Sequence, residues 1–121
     1  MLTFNNLGNL GRLANQMFQY ASLKGIARKH GYDYAIPPVN LFGQNDPLVK
    51  ESSLNIYNVF DIGKKNNINV VRNPMLQERM HEFDKELFDS CPDNVDLYGY
   101  YQSPKYFDHI KDEIKSDFTF S

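Results

Sequence analysis

Two glycines, one arginine and two amides mark the stretch Gly8-Asn9-Leu10-Gly11-Arg12-Leu13-Ala14-Asn15-Gln16. Glycine admits positive φ and lets a ligand approach the backbone, so Gly8 and Gly11 suit a tight strand-to-helix turn. The first N–H groups of a helix have no internal partner, and the helix dipole favours negative charge at that end. A glycine turn that feeds a helix N-terminus is therefore a candidate phosphate cradle. Arg12 adds a forked guanidinium at the same place, and Asn15 and Gln16 add uncharged amides. Gly11, Arg12, Asn15 and Gln16 are the candidate phosphate-binding residues. The pattern G-x-x-G-R matches neither G-x-G-x-x-G nor the G-x-x-x-x-G-K-[ST] phosphate loop. On pattern alone, a structural turn in which Asn15 caps the helix accounts for the same residues.

The elements that must hold this turn are legible on either side of it. Met1 to Phe4 reads as a short strand, and Asn15 to His30 as a helix with Met17, Tyr20, Ala21, Leu23, Ile26 and Ala27 as its apolar stripe. Arg28, Lys29 and His30 complement the dipole in the last turn, and Gly31 suits the C′ position. Tyr32 to Ile36 alternates as a strand does and stops at Pro37-Pro38. Strand, helix, strand makes a βαβ unit and predicts a parallel sheet, whose ligands bind beyond the C-terminal strand ends. The glycine turn lies at such an end.

Downstream the pattern is less regular. Val39 to Ser53 reads as a loop, Ile56 to Ile62 as a short element of open type, and Gly63 to Asn67 as a turn before a strand at Ile68 to Val71. Leu76, Met80, Phe83 and Leu87 follow a helical stripe, which predicts a helix over 75–88. A turn at Ser90 to Asn94 precedes a strand from Val95 to Tyr101. Of Tyr98, Tyr100 and Tyr101, neighbours on one strand face are expected in the core rather than stacked on a sugar. Ser103 at N-cap and Pro104 at N1 open a helix with Tyr106, Phe107, Ile110 and Ile114 on its buried side. Asp117 to Ser121 reads as the start of a further strand. His81, Glu82, Asp84 and Glu86 have a spacing that matches no established metal site.

The literal residues carry a resemblance. Gly11-Arg12-Leu13-Ala14-Asn15-Gln16-Met17-Phe18-Gln19-Tyr20-Ala21 resembles the opening motif of the family 11 glycosyltransferases, the α-1,2-fucosyltransferases. That motif typically reads G-R-L-G-N-Q-M-F-Q-Y-A, and this chain differs at Ala14. Leu97-Tyr98-Gly99-Tyr100-Tyr101-Gln102-Ser103-Pro104-Lys105-Tyr106-Phe107 is similar to the family's G-Y-x-Q-S-x-K-Y-F segment, in the family's order and about its usual distance away. The counterpart of 75–88 in related sequences is expected to be partly extended.

The resemblance implies an α/β fold, a Rossmann-like parallel sheet with flanking helices forming the N-terminal half of a two-domain GT-B enzyme. It further implies an inverting, metal-independent transfer of fucose from GDP-fucose to a galactoside hydroxyl, with no cofactor. A metal-free site must neutralise the leaving diphosphate with arginine and backbone N–H groups. Family members carry His-x-Arg-Arg-x-Asp shortly beyond the position of Ser121, in the half that supplies most donor contacts. Residues 1–121 are accordingly expected to form one incomplete N-terminal domain, inactive without its C-terminal donor-binding partner. No general base is singled out. At position 14 the extra methyl obstructs a positive φ or a close phosphate, but suits a helical residue. Two alternatives stay open: a related glycosyltransferase using another nucleotide sugar, and a freestanding non-catalytic domain that binds a glycan or a partner chain.

Composition narrows the classes. The 121 residues suit a single domain, and the net charge of −2 comes without a concentrated basic face, which argues against nucleic-acid binding. The lone Cys91 excludes an intramolecular disulfide and has no activating base beside it in sequence. No apolar run is long enough to span a bilayer, no basic-then-apolar leader opens the chain, and no Asn-x-Ser/Thr sequon occurs. A cytoplasmic location is the expectation.

Overall fold

The computed structural model describes residues 1–7, 13–36, 56, 73–79 and 82–118. Within them run β1 (Leu2–Thr3), α1 (Leu13–His30), β2 (Tyr34–Ala35), β3 (Met75–Gln77), α2 (Lys85–Ser90) and β4 (Asp96–Tyr98). Two 3-10 turns, Pro104–Tyr106 and Asp108–Ile110, then lead into α3 (Lys111–Asp117). The strands form one sheet in the order β2-β1-β4-β3, and every pairing is parallel. The βαβ reading of the N-terminal third therefore holds, and the fold is α/β with helices against a parallel sheet.

Leu2 lies opposite Tyr34, and Leu76 opposite Leu97, on the sheet face that meets α1. Thr3 and Asp96 are register partners on the other face, and both are buried. The core gathers Leu2, Phe4, Tyr20, Leu23, Ile26, Leu97, Tyr101 and Tyr106 between the sheet and the helices.

The helix α1 is not merely amphipathic. Its residues are buried in an unbroken run from Gln19 to Ala27, polar ones included. A helix enclosed on all sides must settle each polar group locally. Ser22 Oγ donates to the Tyr101 carbonyl at 3.0 Å, and Lys24 Nζ bonds Asp117 Oδ2 at 2.6 Å. Gly25 lets the chain of Tyr106 and Phe107 press against the helix: a Cβ there would overlap the Tyr106 carbonyl oxygen and stand 2.8 Å from Phe107 Cα.

Several sequence expectations are corrected. Residues 75–88 do not form one helix: Met75–Gln77 is a strand laddered to β4, and only Lys85–Ser90 is helical. Long-range pairing of Leu76 with Leu97 outweighs the local helical spacing. Asp84 then starts α2 as its N-cap, accepting from Leu87 N–H at 3.1 Å. Ser90, expected in a turn, closes that helix. The strand expected to run to Tyr101 ends at Tyr98, because Gly99 (φ 134) and Tyr101 (φ 49) leave the extended region. Ser103 and Pro104 do occupy N-cap and N1, but the helix is broken at Phe107 (φ −138) into two 3-10 turns before α3. Tyr106, drawn into the core, sets that break. Asp117 belongs to α3 rather than to a strand, and Phe118 N–H closes the helix onto Ile114 O at 3.1 Å. The expected loop at Val39 to Ser53, the strand at Ile68 to Val71 and all but Ile56 of the 56–62 element lie outside the described residues.

Candidate functional site at the C-terminal edge of the sheet

Because β1 and β4 are adjacent and parallel, the segments that follow them leave the same edge of the sheet. The segment after β1 leads to α1, and residues 8–12 between them lie outside the described residues. The segment after β4 is Gly99 to Ser103. Asn15, in the first turn of α1, and Gln102, beyond β4, meet here: Gln102 Nε2 donates to Asn15 Oδ1, although the two are 87 positions apart. The described part of the first stretch singled out in the sequence thus meets the second. Phe18 and Phe107 extend the contact, with ring centroids 5.9 Å apart.

Of the candidate residues, Gly11 and Arg12 lie outside the described residues. Asn15 is partly exposed, inside the helix rather than at its cap, because α1 begins at Leu13. Ala14 is likewise helical and exposed, where alanine is favoured over glycine. Gln16 is buried, and its Oε1 accepts the backbone N–H of Ile56 at 2.8 Å. That contact fixes the start of the helix from beneath.

Three further groups shape this edge. Glu78, just past β3, accepts from Tyr101 N–H at 3.1 Å and from the Tyr106 hydroxyl at 2.6 Å. Burial, with the Glu78 charge behind it, pushes both phenols far above the ordinary tyrosine value, so they remain neutral donors. Asp96 Oδ1, on the opposite face of the sheet, accepts from Thr3 Oγ1 at 3.0 Å and from Asn5 N–H at 2.8 Å. It ties β4 to the segment that leaves β1. Burial raises its carboxyl above the usual range, against the pull of those two donors. Gln102 stood within the second sequence motif, so a signal for it existed. Glu78 was hidden inside an expected helix, and nothing in the local sequence distinguishes it.

Three other reactive side chains, Asp84, Cys91 and His30, are committed elsewhere. Asp84 receives two bonds from the Arg79 guanidinium, at 2.9 and 3.1 Å, and this pairing holds its carboxyl at about 2. Cys91 is buried, and burial followed by the Asp93 charge pushes its thiol up to about 11, which leaves it protonated at neutral pH. His30 closes α1, donating from Nε2 to Phe88 O at 2.7 Å and stacking on Tyr32. No helix among the described residues is long and apolar enough to cross a membrane. No family model, curated protein or solved structure matches the chain.

Proposed function

We propose that the chain is the N-terminal, GT-B-type portion of an inverting, metal-independent α-1,2-fucosyltransferase that moves fucose from GDP-fucose to a galactoside hydroxyl. The observation that supports this most is the meeting of the Gly11–Ala21 and Leu97–Phe107 segments through Asn15 and Gln102. Each segment resembles a motif of that family, and motifs far apart in sequence serve one reaction only where the fold joins them. In this reading Gly11, Arg12 and Asn15 face the diphosphate, and Gln16 braces them through its bond to Ile56. As the bond between the sugar and the diphosphate breaks, negative charge grows on the leaving oxygens. A preorganised guanidinium and helix N–H groups stabilise that charge more than they stabilise the ground state. The remaining donor contacts come from a C-terminal domain that bears His-x-Arg-Arg-x-Asp, so the 121 residues alone have negligible activity. A cytoplasmic enzyme with access to nucleotide sugars fits this reading.

The test is transfer by an enzyme in which the chain continues past Ser121 into that motif. Arg12→Ala is expected to cut turnover with GDP-fucose at least about a hundredfold, the scale of losing one preorganised donor. Unchanged turnover removes Arg12 from the diphosphate site. Faster transfer from a different nucleotide sugar would reassign the donor and keep the rest.

A further inference from the structure

Tyr100 is 45% exposed; Met75 is the other large apolar side chain so exposed among the described residues. The backbone beside Tyr100 is unusual. Tyr101 sits at φ 49, a left-handed conformation that costs a non-glycine residue on the order of 1 kcal/mol. Every polar group of Tyr101 is enlisted to hold it there. Its N–H donates to Glu78, its hydroxyl to Leu76 O at 3.1 Å, and its carbonyl accepts from Ser22 Oγ. Its ring is fully buried, edge-on to Phe4 and Tyr106 at 5.8 and 5.3 Å. The residues on either side, Tyr100 and Gln102, are exposed. A buried, pinned tyrosine thus anchors a short segment that offers an aromatic ring and an amide outward.

The amide is already paired, and the pairing leaves a defined remainder. With Gln102 Nε2 donating to Asn15 Oδ1, the other two amide atoms, Asn15 Nδ2 and Gln102 Oε1, have no partner among the described residues. One is a donor and the other an acceptor. Flipping both amides exchanges the atoms and keeps that balance. A sugar hydroxyl is both donor and acceptor, and a galactopyranose has one face of C–H groups that packs on an aromatic ring. We infer that Tyr100 and the Asn15–Gln102 amide pair form the subsite for the galactoside acceptor, the ring under the C–H face and the amides on the hydroxyls. The assignment of the sugar as acceptor rests on the transferase reading above. Asn15 then stands where acceptor and diphosphate adjoin, as transfer between them requires.

Saturation-transfer NMR on the 121-residue chain with methyl β-galactoside tests this, and inorganic pyrophosphate in the same samples reads the diphosphate end separately. The unsubstituted chain is expected to bind the galactoside. Tyr100→Ala should weaken that binding about tenfold or more, and Tyr100→Phe should keep it within about twofold, because the ring face does the packing. Gln102→Ala should weaken it as well, with pyrophosphate binding unchanged in the Tyr100 variants. Absence of a saturation-transfer signal on the galactoside with the unsubstituted chain overturns the subsite, as does equal binding by Tyr100→Ala. Galactoside binding without pyrophosphate binding supports the subsite and counts against the diphosphate reading alone.

Discussion

The two ends of α1 differ in what surrounds them. From Gln19 to Ala27 the helix is enclosed, with Gly25 against the Tyr106 backbone and Lys24 locked to Asp117. Near its start, Ala14 is exposed, and Asn15 meets Gln102 at the surface. One half commits Ser22 and Lys24 to the fold, while at the other two amide atoms have no partner among the described residues. A helix anchored along its distal half can hold its first turn rigidly over an open edge, which is what a binding site needs from a scaffold. The contrast between anchor and site can be broken by substitution at each point.

The largest effect is expected at Gly25. A methyl at that position has backbone atoms as its opponents, the Tyr106 carbonyl and Phe107 Cα, which cannot swing aside as a side-chain tip does. Overpacking usually costs 1–3 kcal/mol, and a clash with backbone should bring Gly25→Ala to about 4 kcal/mol in urea denaturation. A loss below about 1 kcal/mol would mean that the 3-10 turn is free to move away, and that the distal half is a looser anchor than its burial implies.

Lys24 comes next. Its side chain and that of Asp117 are each 7% exposed, and Asp117 also accepts from the Tyr20 hydroxyl at 3.1 Å. Lys24→Met removes the cation and strands a buried carboxylate, with an expected loss of about 3 kcal/mol. Adding Asp117→Leu should recover most of it, since the pair costs desolvation of both charges. The pH dependence follows in sign. Although burial opposes it, hydrogen bonding to Asp117 leads the charge-favouring effects that raise the Lys24 ammonium above its ordinary value of 10.5. The pair's contribution is therefore complete below that value and is lost as pH rises through the higher folded one. Unfolding curves that stay parallel for the unsubstituted chain and Lys24→Met through high pH would contradict the pairing.

The same contrast explains what the sequence did and did not disclose. β1, α1 and β2 were legible because their cues are local: an apolar period, a basic last turn, Gly31 after it and alternation before Pro37. Helical spacing misled at 75–88, where Leu76 pairs with Leu97, twenty-one positions on. The burial of Ser22 and Lys24 was equally invisible, because each is made tolerable by a partner remote in sequence. At the site, Asn15 and Gln102 were both within motifs, but their contact is a product of parallel pairing between β1 and β4. The left-handed backbone at Tyr101 has no local signature, since its cost is met by Glu78, Ser22 and Leu76.

The smallest effect on stability is expected where the effect on binding should be clearest. Asn15 makes its side-chain bond at the surface, and alanine is the better helix former by several tenths of a kcal/mol. Loss of the Gln102 contact and gain of propensity should nearly cancel, leaving Asn15→Ala within about 0.5 kcal/mol of the unsubstituted chain. Galactoside and pyrophosphate should both bind it more weakly, because the two proposed sites adjoin at Asn15. A stability loss above about 2 kcal/mol would make the first turn as structural as the anchor and erase the difference between the two ends. Full stability with undiminished binding of both probes would instead leave the anchor intact and take Asn15 out of the site.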